Sequence, residues 1–287
     1  KNKKTKSLRG KIIKMKKFNS FVVVMALVLT ALMPFSVLAQ DTLTIQGSST
    51  VLPVAQKAAE VYMENNPEVS ISVRGGGSGN GIAALIDGAV DIADASRFIK
   101  QEEVNAAVEN GIYPVPHRVA MDGIAVVVHP SNSVEELSLD DIQAIYTGEA
   151  TNWSEFGGPD KEIVVVSRDS SSGTFEVFGE IALGGERLMQ GALLQASNGA
   201  VASTVASTEG GIGYVGLGYL DDTTKTVAVN GVMPSNATVA SGSFPIARPL
   251  FMFTDGWPEG LTNSFISFVL SNDGQALVED LGFVPLH

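Results

Sequence analysis

From Asp41 onward, short runs rich in β-branched residues alternate with stretches whose apolar positions recur every three or four residues. "TLTIQG" has the alternation of a strand, and "PVAQKAAEVYMENNP" puts Val54, Ala58, Val61 and Tyr62 on one helical face, with Pro53 suited to its first turn. "VSISVRGG" predicts the next strand. After it come a short helix (Ile82, Leu85, Ile86), a strand ending near Ala93, and the helix "KQEEVNAAVENG". "VAMDGIAVVVHP" is a long apolar strand, followed by the capped helix of "LSLDDIQAIY" and a glycine-rich loop. "EIVVVSRD" and "TFEVFGEIAL" give another strand and helix, and "NGAVASTVASTEGGIGYVGLGYL" a helix and a glycine-interrupted strand. The segment "VMPSNATVASGSFPIARPLFMFT" looks extended throughout, and the C-terminal "LTNSFISFVLSNDGQALVEDLG" looks helical. Strand, helix, strand in this order predicts parallel α/β layers. Two long extended runs, near 119–128 and 244–253, are the candidate crossings between two lobes.

The first 39 residues follow a different pattern. "MKKFNSFVVVMALVLTALMPFSVLAQD" has a basic start, an apolar run from Phe21 to Leu32, Pro34, and the small residues Val37 and Ala39. This is the layout of a secretory signal peptide with cleavage after Ala39, and it predicts export to the periplasm; an uncleaved membrane anchor is the alternative. Met15 is the expected translation start.

Removing this leader changes the charge. The chain's formal charge of −12 includes nine leader Lys/Arg, so the remainder has ten basic residues against 31 acids, about −21. Such a surface repels nucleic acid and anionic lipid, so neither is expected as a partner. With no cysteine, disulfides and thiolate metal sites are excluded. His117, His129 and His287 are too scattered to suggest a metal, and neither cofactor nor catalytic group is expected. A monomer is the expected state.

The candidate chemistry lies at four strand-to-helix joints: Gly47 to Thr50, Gly75 to Gly79, Ala95 to Arg97, and Arg168 to Thr174. In parallel α/β layers these joints lie at the carboxyl ends of strands, where open sheets bind ligands. Free helix-start amides suit an anion, and the hydroxyls add adjustable donors. A single Ser or Thr before a helix is ordinarily only a cap, so the argument rests on the recurrence of the design. Arg97 and Arg168 are the charged candidates, because a guanidinium fork matches two oxygens of a tetrahedral anion. Arg74, Arg118, Arg187 and Arg248 read as surface residues or structural ion-pair partners. Asp94 and Asp169 are candidate acceptors for the proton of a protonated anion, Asp169 serving equally well as a favourable acid near a helix start.

The ordered set "GSSTVLPVAQ", "GGGSGNGI", "VDIADASRFIK", "TGEATNWSEFGGPD", "SRDSSSGTFEVF", "ASNGAV", "GGIGYVGLGYL" and "FVLSNDGQALVEDLGFVPL" resembles the phosphate-binding proteins of phosphate ABC importers, over 41–287. The resemblance implies a periplasmic-binding-protein type II fold, with two α/β lobes joined by two crossing strands and a ligand cleft between them. Expected boundaries are 40–120 plus 245–287 for one lobe and 121–244 for the other. It also implies that Arg168, Ser172, Gly173 and Thr174 clamp phosphate from the second lobe. Ser49, Thr50, Val51 and Ser78 would do so from the first. Where larger members carry an aspartate that accepts the phosphate proton, this chain has Ser96, followed by Arg97. That departure bears on how sulfate is rejected. The implied partners are inorganic phosphate and the permease subunits of an ABC importer.

Three other functions are open to such a sequence. A receptor for another tetrahedral oxyanion, such as sulfate or molybdate, rests on the same physics. A secreted serine hydrolase lacks a Gly-x-Ser-x-Gly turn, "GGSGN" failing at Asn80. Dinucleotide binding has only the G-x-G-x-x-G of Gly211 to Gly216, which does not open a clear helix.

Overall fold

A computed structural model describes residues 41–287. The expected leader, its cleavage site and the translation start lie outside them. The elements in chain order are β1 (Asp41–Gly47), α1 (Leu52–Asn65), β2 (Val69–Gly75), α2 (Ser78–Ile86), β3 (Ile92–Ala95), α3 (Gln101–Glu109), β4 (Pro114–Val128), β5 (Glu136–Leu137), α4 (Leu139–Thr147) and β6 (Val164–Arg168). They continue with α5 (Gly173–Ile181), β7 (Leu193–Gln195), α6 (Asn198–Ser207), β8 (Gly211–Gly216), β9 (Lys225–Val229), α7 (Asn236–Ala240), β10 (Ala247–Asp255), α8 (Gly260–Val269) and α9 (Asn272–Asp280).

The strands form one curled sheet in the order β2-β1-β3-β10-β4-β8-β6-β7, with β9 on β4 and β5 on β9. β1 runs parallel to β2 and β3, and β6 runs parallel to β7 and β8. The parallel pairs therefore form two α/β groups. Between them pass the two longest strands, β4 and β10, paired antiparallel from Gly123/Ala247 to Pro114/Asp255.

The core divides the same way. Leu43, Ile45, Val54, Ile71, Phe265 and Phe283 pack in one group, which Val119, Ala120, Leu250 and Met252 join from the crossing strands. Tyr146, Trp153, Phe178, Tyr214 and Phe244 pack in the other, joined by Ile124 to Val126. Each crossing strand thus leaves one core and enters the next within a few residues, which gives the two-lobed fold of the periplasmic-binding-protein type II class.

Four expectations are corrected. β3 runs on to Ala95, and the crossing strands occupy 114–128 and 247–255, shifted from the apolar runs because their outer ends alternate with polar residues. The stretch expected to be extended contains α7, started by Ser235, whose hydroxyl accepts from Thr238 N. The C-terminal helix is two helices, since Ser271 Oγ accepts from Gly274 N and begins α9. β5, β7 and β9 are two to five residues long and are strands only because neighbours pair with them.

Candidate functional site

The four joints lie at the carboxyl ends of β1, β2, β3 and β6, and the fold turns them toward one another. Ser48, Ser49, Thr50, Ser78, Ser96, Arg168, Ser172 and Thr174 are all buried, an unusual fate for polar side chains. Thr50 Oγ1 of the first lobe lies 3.1 Å from Thr174 Oγ1 of the second. Ser78 Oγ accepts from Ser96 N at 3.0 Å and lies 3.3 Å from Ser96 Oγ. A Cβ at Gly173 would stand only 2.5 Å from Ser78 Oγ and 2.9 Å from Ser96 Oγ. Glycine is required there because hydroxyls of the opposite lobe close over it.

Serine hydroxyls hold two of these joints. Ser172 Oγ accepts from Thr174 N at 3.2 Å and Phe175 N at 3.3 Å, capping α5. Its own O–H remains free to donate. The Gly173 amide at the first helical position has no acceptor one turn earlier. On the first lobe, Ser48 Oγ accepts from Thr50 N at 3.1 Å and Val51 N at 3.4 Å, so Ser48 serves as the local cap there.

Arg168 ends β6 with its guanidinium fully inside the protein. Nε donates to Gln195 O at 3.1 Å and Nη2 to Ala196 O at 2.9 Å, which fixes the plane of the fork. Nη1 is buried without a partner. Burial lowers the pKa of Arg168, with the polar neighbours Tyr214 and Asp169 acting the other way. A buried cation with one unused donor is what an anion would complete.

Arg97 departs from expectation. Its fork holds Glu103, with Nη1 to Oε2 at 2.8 Å and Nη2 to Oε1 at 2.6 Å, and Nη1 also donates to Phe98 O. Nε stands 2.9 Å from Glu176 Oε2. Glu103 and Phe98 thus occupy both terminal nitrogens of Arg97, while its buried Nε makes no hydrogen bond, so the fork expected to face an anion is turned to Glu103.

Sequence reasoning missed other residues that complete the site. Arg248, expected to be at most a structural ion-pair partner, is such a partner but also reaches the site. It pairs with buried Asp122 and donates from Nη2 to Thr50 Oγ1 at 3.1 Å and from Nη1 to Ser96 O at 3.3 Å. Asn198, buried at the start of α6, donates from Nδ2 to Ser49 Oγ at 3.1 Å and Thr50 Oγ1 at 3.0 Å, while Oδ1 accepts from Gly216 N. The Tyr219 hydroxyl donates to Ser49 O, and burial raises its pKa to about 12, so it stays protonated. The "ASNGAV" motif was the available signal for Asn198.

Of the candidate acids, Asp169 accepts from Ser171 N at 2.8 Å and from Ser171 Oγ, closing the turn before α5. Its structural reading is sufficient. Asp94 is buried on β3 opposite Met252, and neither carboxyl oxygen has a partner. Burial raises its pKa well above the ordinary carboxylate range. Among the described residues no cluster of three or more His, Asp or Glu is placed to hold a metal ion. Nor is any helix among them long and apolar enough to cross a membrane.

Comparison with known proteins shows the family. Residues 37–273 match the family described as the PBP superfamily domain. The phosphate-binding protein PstS of Bacillus subtilis is 38% identical over 251 residues, covering 86% of this chain and 82% of that protein. Protein SphX of Synechococcus elongatus is 34% identical over 260 residues, covering 85% and 77%. Among solved structures, a putative phosphate ABC transporter substrate-binding protein with bound phosphate from Clostridium perfringens superposes with a TM-score of 0.81 at 35% identity. It covers 86% of this chain and 100% of that one. An ABC-type phosphate transport receptor from Vibrio cholerae gives 0.70 at 29% identity, covering 84% and 99%.

Proposed function

The chain belongs to the PBP superfamily and, within it, to the phosphate-binding proteins of ABC importers, and from that premise we propose how it holds its ligand. It is a substrate-binding receptor that captures inorganic phosphate and hands it to importer permease subunits. Ligand oxygens are received by Arg168 Nη1, the Gly173 amide, and the hydroxyls of Ser172, Thr174, Thr50, Ser49, Ser78 and Ser96. Val51 shapes the loop from which Ser49 and Thr50 project. The observation that carries the reading is the buried, partnerless Nη1 of Arg168, next in sequence to hydroxyls that meet those of the other lobe.

We place the lobes at 40–120 with 245–287 and at 121–244; the two largest cores support this division except at Ile246 and Val284, which pack with the second. The leader is a cleaved signal peptide and the mature protein a periplasmic monomer. It has no catalytic activity and no nucleic-acid partner, in keeping with its acidity. Asp94 is retained as the candidate acceptor for the phosphate proton, acting only when ionised, and hence only at a pH above its raised pKa.

Ser96, at the position of the family's usual acid, keeps a second reading in view: a receptor for sulfate or molybdate. Equilibrium dialysis with radiolabelled phosphate separates the two. Retention of label in excess sulfate and molybdate supports phosphate, and equal displacement by either overturns it.

A further inference from the structure

Arg97 also makes a contact across the cleft. It follows β3 in the first lobe, and Lys100 caps α3 three residues later. Glu176 belongs to the second lobe, in the first turn of α5, two residues after Thr174. Glu176 Oε2 lies 2.9 Å from Arg97 Nε and 2.8 Å from Lys100 Nζ. Both cations therefore meet one carboxylate across the cleft. Among the described residues, the other ion pairs lie within one lobe or between the crossing strands.

Arg97 Nε makes no hydrogen bond, so its contact with Glu176 is one of charge, strengthened by burial. Arg97 is only 6% exposed and Glu176 16%. The fork of Arg97 is locked from behind by Glu103, which also accepts from Lys100 N at 2.9 Å, so the two cations are presented as one unit. Burial alone would lower the pKa of Arg97; the two glutamates outweigh it and hold the charge on. The location is otherwise costly, because an acid in the first turn of α5 stands close to the site proposed for a dianion. An uncompensated Glu176 would repel the ligand.

We propose that Glu176 is a positioning residue for ligand retention: with Arg97 and Lys100 it forms a charge latch that holds the two lobes closed and slows phosphate release. This rests on the phosphate-receptor reading. The latch and simple electrostatics predict opposite signs for the same substitution. Removing a negative charge beside an anion site should tighten binding, whereas removing the latch should loosen it.

The test is stopped-flow measurement of phosphate association and dissociation for the wild type, Glu176→Gln and Lys100→Met, at low and high salt. Expected results are a dissociation rate raised about tenfold in Glu176→Gln and severalfold in Lys100→Met, with association little changed. Wild-type dissociation should also quicken with salt and that of Glu176→Gln should not. Dissociation in Glu176→Gln equal to or slower than wild type overturns the latch. Lys100 is 42% exposed, so its replacement separates loss of the latch from misfolding. A wild type that binds no phosphate refutes the receptor reading instead, which keeps the two failures distinct.

Discussion

Arg248 and Asp122 face each other in the antiparallel register of β10 and β4, with Arg248 Nε 3.1 Å and Nη2 2.9 Å from Asp122 Oδ2. The pair stands where the crossing strands pass between cores, and both side chains are buried. Asp122 Oδ1 accepts from Leu217 N of the second lobe, and Arg248 donates to Ser96 O and Thr50 Oγ1 of the first. One ion pair thus ties both lobes to the strands between them. Asp122→Ala leaves a buried guanidinium uncompensated and should cost about 3–5 kcal/mol in urea unfolding. Replacing both by apolar residues should cost clearly less. Equal losses would show that the pair acts through shape alone.

Gly173 gives a different kind of prediction. At an exposed helix position, alanine would stabilise by roughly 0.5–1 kcal/mol. Here the added methyl carbon meets Ser78 and Ser96 of the opposite lobe. Gly173→Ala should forfeit that gain, because the methyl forces the lobes apart, and should weaken phosphate binding by at least about tenfold. Unchanged binding by calorimetry would place the closed lobes farther apart than described.

Asp94 makes stability depend on pH with a defined sign. Its folded pKa is raised, by burial. Below the unfolded value of about 3.9 both states are protonated and the residue is neutral for stability. Above it the unfolded chain loses the proton and the folded one keeps it. Stability therefore falls by about 1.4 kcal/mol per pH unit until the folded pKa is reached. Asp94→Asn should have a Tm advantage over the wild type that grows as pH rises above about 4 and levels off once the folded carboxyl ionises, as read by scanning calorimetry. A difference independent of pH would contradict a neutral buried carboxyl.

Asn198 spans the cleft by its side-chain amide alone. Asn198→Ala removes the donor to Ser49 and Thr50 and leaves the Gly216 amide without its acceptor. Phosphate affinity should fall roughly tenfold, as expected for the loss of about 1–3 kcal/mol of buried hydrogen bonding. Affinity within twofold of wild type would remove Asn198 from the site.

Much of this site was legible in the sequence because it is built from local rules. Hydroxyls before helices, glycines where lobes meet and Arg168 at the end of an apolar strand all carry a signal within a few residues. Arg248 and Asp122 carry none: each lies in a crossing strand, and their meeting depends on a register between segments 126 residues apart. The partners of Arg97 are hidden for the same reason. Its neighbours in sequence suggested an anion, whereas Glu103 on α3 and Glu176 across the cleft decide what its fork holds. The fold followed a similar divide, with amphipathic helices and long strands visible and β5, β7 and β9 dependent on their partners.

The central claim is that a buried guanidinium with one free donor completes a phosphate site. Titration calorimetry of the wild type and Arg168→Ala with phosphate, in the presence and absence of excess sulfate, tests it most directly. The account predicts wild-type phosphate binding that sulfate leaves intact, and an affinity at least about a hundredfold weaker in Arg168→Ala. Phosphate bound equally well by the folded variant would contradict it.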